Sequence, residues 1–168
     1  NDSLREAFVK LLEMKAVWQI GKLKDTAKKI IIFIDEPYLT SFGSSFVNIK
    51  REEVILMFDS IIDGIHSKGA IAGIHCCGNT DWSVITGTKV DIINFDAYLY
   101  ADNLSLYSED IKGFLKKGGY LAWGVVPTSE DVLKETGSSL FKKLGSQIGN
   151  LEKKSIDRDL IISNSLFT

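Results

Sequence analysis

His75 and Cys77 have the clearest capacity for chemistry in this chain. His75 closes an apolar, β-branched run, and Cys77 lies two positions on, in His75-Cys76-Cys77-Gly78-Asn79. In an extended chain, residues two apart point the same way, so imidazole and thiol converge while Cys76 points oppositely. Imidazole and thiolate together are good zinc ligands. Asp96 closes the next such run, Asp91-Ile92-Ile93-Asn94-Phe95-Asp96, from where a carboxylate can reach the same spot across a sheet. The preceding run closes in Ile34-Asp35-Glu36-Pro37, with a long loop over 38–49 after it. Singly these residues say little. A lone histidine is more often a hydrogen-bonded core or loop residue, and cysteine is among the most buried residue types. Their occurrence at three successive run ends is the stronger signal.

That combination resembles the cobalamin-independent methionine synthases, which carry an I-D-E-P segment, then H-x-C, then a strand ending in an acidic residue. The matching stretches are Ile34-Asp35-Glu36-Pro37, His75-Cys76-Cys77 and Asp91 through Asp96, and a looser likeness runs on through 124–128. It covers most of the chain from Lys29 onward. The resemblance implies that residues 1–168 are the C-terminal part of a single parallel (β/α)8 TIM barrel domain, about the last five of its eight strands. It implies a zinc site with His75, Cys77 and Asp96 as ligands. The family's fourth ligand, a cysteine, is expected just past the final strand, beyond Thr168. Asp35 maps to the acid that contacts the amino group of the amino-acid substrate. Glu36, beside it, is a further substrate contact or a group that orients a ligand. Two departures stand out: Asp96 replaces a glutamate, and the family's upstream substrate-binding elements have no counterpart. The piece by itself is therefore expected to be inactive.

The implied chemistry accounts for the residue types. A free thiol has a pKa near about 8.5 and is mostly unreactive at neutral pH. Zinc holds a substrate thiol as thiolate without a separate strong base. A carboxylate such as Asp35 would hold the substrate ammonium and so orient the sulfur. The expected reaction is methyl transfer to homocysteine, giving methionine, with a methylated folate or a methylated corrinoid as donor. Corrinoid-linked methyltransferases of the same superfamily act on other thiols with the same H-x-C. A metal-free branch decarboxylates porphyrinogens, which would ask for arginines at strand ends, and the arginines here are Arg5, Arg51 and Arg158. A non-catalytic barrel that has kept the fold is a further class.

The elements that must position these residues alternate in kind. Continuous apolar runs over 29–35, 70–75, 90–96, 120–126 and 160–164 predict strands buried on both faces, as in a parallel sheet. Helical patterns lie between them. Over 52–66 the residues Val54, Met57, Phe58, Ile61, Ile62 and Ile65 form a single stripe at three-and-four spacing. A first helix spans about 4–18, with Leu4, Phe8, Leu11 and Leu12 on related faces. Ser108 with Glu109 and Asp110 predicts a helix start, and Gly118-Gly119 its stop. Thr128 with Asp131 resembles a capping box, with Gly137 interrupting the helix that follows. Asn79 and Asp81 read as caps, His66 as a helix-end residue near the C-terminal dipole, and Tyr98 and Trp123 as packing residues.

The order is α, four βα units, then β, which predicts right-handed βαβ units and a parallel sheet. A doubly wound sheet would offer a Gly-rich first turn for a nucleotide, and no such motif occurs. A barrel needs eight strands in about 250 residues. Asn1 leads straight into helix-like sequence and Thr168 follows a strand-like run, so the chain is expected to be a piece of a larger protein. An incomplete barrel exposes two sheet edges and an apolar interior, so this piece is expected to self-associate or to be covered by further chain.

Composition supports a packed cytoplasmic domain. The chain has 168 residues, 45% of them hydrophobic, with 20 basic and 22 acidic side chains for a net charge of −2. No basic patch marks a nucleic-acid surface. No apolar run approaches the roughly 20 residues that span a bilayer. The cysteines, Cys76 and Cys77, are adjacent and poorly placed to bridge each other, which suits a reducing compartment.

Overall fold

The apolar runs become strands. A computed structural model, which describes residues 2–42 and 49–168, contains β1 (Ile31–Asp35), β2 (Ile71–Cys76), β3 (Ile92–Phe95), β4 (Tyr120–Trp123) and β5 (Ser165–Phe167). They form one sheet in the order β1-β2-β3-β4-β5, and every neighbouring pair is parallel. The chain is thus α/β, with each strand paired to the next in sequence. Nowhere in this sheet does the order reverse, as it does where a doubly wound sheet changes face. Right-handed crossovers laid down in one direction put their helices on one face.

Burial follows that geometry. On one face Ile74, Phe95, Leu121 and Trp123 are all sealed, at 0–1% exposure. On the other, Ile31 and Phe33 of β1, Tyr120 of β4 and Leu166 of β5 remain between 38% and 44% exposed. Phe33 lies over Gly73, where an added Cβ would stand 2.3 Å from its ring, so the glycine gives the ring its place.

The helices are α1 (Asp2–Leu23), α2 (Arg51–His66), α3 (Trp82–Thr86), α4 (Ala97–Leu104), α5 (Ser108–Lys116), α6 (Gly137–Lys153) and α7 (Arg158–Ser163). In α2 the expected stripe is the buried one, through Val54, Phe58, Ile61, Ile62 and Ile65. Glu52 and Glu53 in its first turn complement the helix dipole. α1 packs against α2 and buries Ala16 and Ile20, while Leu4, Phe8, Leu11, Met14 and Trp18 stay exposed. No helix among the described residues is long and apolar enough to cross a membrane.

Several expectations need correction. The run over 160–164 is not a strand: Arg158–Ser163 is α7, capped by Asp157, whose carboxylate accepts from Leu160 N at 3.0 Å. The fifth strand begins only at Ser165. The expected box of Thr128 and Asp131 is absent. Instead Ser129 caps the 3-10 turn Glu130–Lys134, and the capping box is formed by Thr136 and Ser139 at the start of α6. Gly137 opens that helix rather than interrupting one. α4 was not foreseen at all. His66 does more than face a dipole, since its Nε2 lies 2.8 Å from Asp91 Oδ2. The stop at Gly118 holds, with a φ of +91°. Within the loop expected over 38–49, Pro37–Ser41 is a 3-10 turn, and 43–48 lie outside the described residues.

Candidate functional site

Strand register assembles a single row at the carboxyl ends of the strands. Asp35 pairs with His75, His75 with Asn94, Asn94 with Ala122, and Ala122 with Leu166. Residues opposite one another in a ladder share a face, so these five stand on the side of the sheet away from its sealed face. In parallel α/β proteins this end of the strands is where sites are built.

His75, half-buried, places Nδ1 2.6 Å from Asn94 Oδ1. Asn94 Nδ2 donates to Ala122 O at 2.9 Å. The imidazole is thereby anchored to its neighbour strand, and that strand to the next. Asn94 was not singled out from the sequence. A polar residue inside the run Ile92-Ile93-Asn94-Phe95 was the available signal, because a half-buried amide in a strand needs partners.

Cys76 and Cys77 separate as alternation requires. Cys76 is sealed on the helix-covered face, and its Sγ donates to Gly78 O at 3.6 Å. Burial pushes its thiol above the ordinary value, and the nearby Cys77, Glu36 and Asp35 add to the rise. Cys77, beyond the strand end, is exposed.

The two acids after β1 go different ways. Asp35 is exposed in the row beside His75. Glu36 donates its backbone N–H to His75 O at 3.1 Å but lines a largely apolar cleft of about 400 Å³. That cleft lies among α1, β1 and α2, with Phe8, Leu12, Ile34 and Phe58 in its walls. Asp96 serves as the N-cap of α4, its carboxylate accepting from Leu99 N at 3.0 Å. Among the described residues, no three His, Cys, Asp or Glu side chains are grouped closely enough to hold a metal ion. His75 and Cys77 suit zinc by donor type. Among the described residues a third such donor is not assembled beside them.

Beyond Asp96 the neighbouring loops are tied together. Tyr98 N donates to Gly124 O at 3.0 Å, and Tyr98 Oη donates to Glu135 Oε1 at 2.8 Å. Lys143 Nζ stands 3.3 Å from the Tyr98 ring centroid, a cation–π contact. Hydrogen bonds from Ser139 and Tyr98 hold the Glu135 carboxyl below its ordinary range, and the bond to Glu135 raises the Tyr98 phenol. Tyr98 therefore clamps the segment after β4 to the start of α4, more than the plain packing role read from the sequence.

Compared with known proteins, the chain matches no family model and no curated protein.

Proposed function

We propose that this chain is part of a (β/α)8 barrel whose strand-end site transfers a methyl group to a thiol with zinc as cofactor, homocysteine being the acceptor. The barrel reading is supported by the unreversed order of the parallel strands and by a second face whose apolar residues Ile31, Phe33, Tyr120 and Leu166 stay partly exposed around the buried Ile92 and Ala122. The observation that carries the chemistry is His75 standing in the strand-end row with one ring nitrogen held by Asn94, and Cys77 two residues on. Imidazole and thiolate from such a pair would hold zinc, which would supply a thiolate-stabilising charge for the substrate sulfur. Asp35, beside His75, has the charge and exposure to bind a substrate ammonium and so fix its orientation. Further metal donors in this reading are Asp96, once it leaves its cap, and the cysteine that the family resemblance implies beyond Thr168. The methyl donor in this reading is a folate or a corrinoid, and the compartment is the cytoplasm.

A metal-free barrel is the competing reading, favoured by Asp96 being spent as a helix cap. Zinc content separates the two. In the full-length protein we expect near-stoichiometric zinc, with Cys77→Ser losing both zinc and methyl transfer and Cys76→Ser keeping most of each. Failure to take up zinc after chelation and reloading would eliminate the first reading.

A further inference from the structure

We propose that Asn94 is a positioning residue that locks neutral His75 in its Nδ1–H tautomer, leaving Nε2 as the ring's only acceptor. Ala122 O can only accept a hydrogen bond, so the Asn94 atom 2.9 Å from it has to be the amide nitrogen. Reversing the amide would set two oxygens against each other at that distance. The Asn94 oxygen is therefore the atom facing His75 Nδ1 at 2.6 Å, and it too only accepts. Nδ1 must carry the proton. Histidine in water favours the other tautomer, so the fold reverses an intrinsic preference. It does so with two bonds between residues brought opposite one another by the β2–β3 and β3–β4 registers.

A histidine fixed in this way presents a bare Nε2 to a metal, the usual arrangement where a carbonyl or carboxylate holds the second ring nitrogen. The tautomer follows from the hydrogen bonds alone. Only its consequence for metal affinity rests on the zinc reading.

The test is 15N NMR of histidine-labelled protein at about pH 9, where imidazoles are neutral. The chain has two histidines, so a His66→Gln variant assigns His75. We expect a protonated Nδ1 and a bare Nε2 at His75. Asn94→Leu should revert the ring to the Nε2–H form and weaken binding of Zn²⁺ alone by roughly 10- to 100-fold. Asn94→Asp supplies the decisive comparison. A carboxylate cannot donate to Ala122 O and has to turn away from it, but either of its oxygens can still accept from Nδ1–H, so it keeps the tautomer while losing the tie to β4. If Asn94 serves only to join the strands, both variants lose the Nδ1–H signature together, and the proposal falls. An Nε2–H ring in the unsubstituted protein overturns it outright, as does an Nδ1–H ring that survives in Asn94→Leu. The expected tautomers without zinc uptake by any form uphold the proposal and remove the metal reading instead.

Discussion

Trp123 Nε1 donates to Ser165 Oγ at 2.9 Å, and Ser165 Oγ passes the chain on by donating to Ile161 O at 2.7 Å. This short relay joins β4, β5 and α7. The indole is sealed from water, so its N–H has no substitute partner once the hydroxyl is gone. Ser165→Ala should therefore cost about 1–3 kcal/mol of unfolding free energy in urea, while Ser165→Thr keeps most of it. A loss below about 0.5 kcal/mol, the level of an ordinary surface change, would show that water reaches the ring.

Phe95 stands between two tryptophans, its ring centroid 5.9 Å from Trp82 and 5.1 Å from Trp123. All three are fully buried on the helix side of the sheet. Removing the middle ring leaves a cavity that rigid neighbours cannot close, so Phe95→Ala should cost about 3–5 kcal/mol. Near-ultraviolet circular dichroism should weaken in the same variant, as both indoles lose a fixed aromatic neighbour. An unchanged spectrum with unchanged stability would refute the packing described.

Cys76 makes stability depend on alkaline pH. Its thiol is neutral at low pH, and burial raises its folded pKa above the ordinary value. The unfolded chain therefore releases this proton first. The stabilisation is fully present below the unfolded pKa and is lost as pH rises toward the folded one. Urea titrations between about pH 8 and pH 10 should show a decline that is shallower in Cys76→Ala. Tyr98 and Tyr107, also raised, act in the same direction and persist in the variant. Thiol reagents should label Cys77 well before Cys76, and the opposite order would contradict the burial.

Thr80 links the turn after β1 to the loop after β2, its Oγ1 donating to Leu39 O at 2.8 Å in a buried setting. Valine has nearly the same shape but no hydroxyl. Thr80→Val should remove one of the two bonds that carbonyl accepts, the other coming from Phe42 N at 3.1 Å, and cost about 0.5–1.5 kcal/mol, whereas Thr80→Ser keeps both. Equal stability of the valine and serine variants in thermal melts would show the bond to be dispensable.

Exposed apolar surface should drive this chain to associate. Trp18 and Phe8 on α1, and Phe33 on the open face of the sheet, are each more than 40% exposed. Such surface is rare on soluble monomers. Sedimentation should reveal species larger than one chain, and Trp18→Lys combined with Phe33→Lys should shift the distribution toward the monomer. A monodisperse monomer before substitution would count against this.

The elements whose signals are local were legible in the residues alone. The stripe from Val54 to Ile65 marks α2, Asp81 caps α3 by accepting from Ser83 N, and alternation places Cys76 away from His75. Four of the five strands lie where continuous apolar runs predicted them, although the burial on both faces that such runs suggest is not met in β1, whose Ile31 and Phe33 stay exposed. Leu160-Ile161-Ile162 is apolar too, yet so short that periodicity cannot tell a buried strand from a helical turn. The Asp157 cap and the seal around Ile161 make it helical, and the ladder with β4 is left to Ser165–Phe167. The site divides in the same way. Residue types and strand ends pointed to Asp35, His75 and Cys77, but the partner of His75 is 19 positions away, and its amide is oriented by a carbonyl a further 28 positions on. Asp96 read as a ligand in the sequence, and only the unforeseen α4 makes it a helix cap. Register, shared face and the direction of a hydrogen bond depend on groups distant in sequence, and only the folded sheet brings them opposite one another.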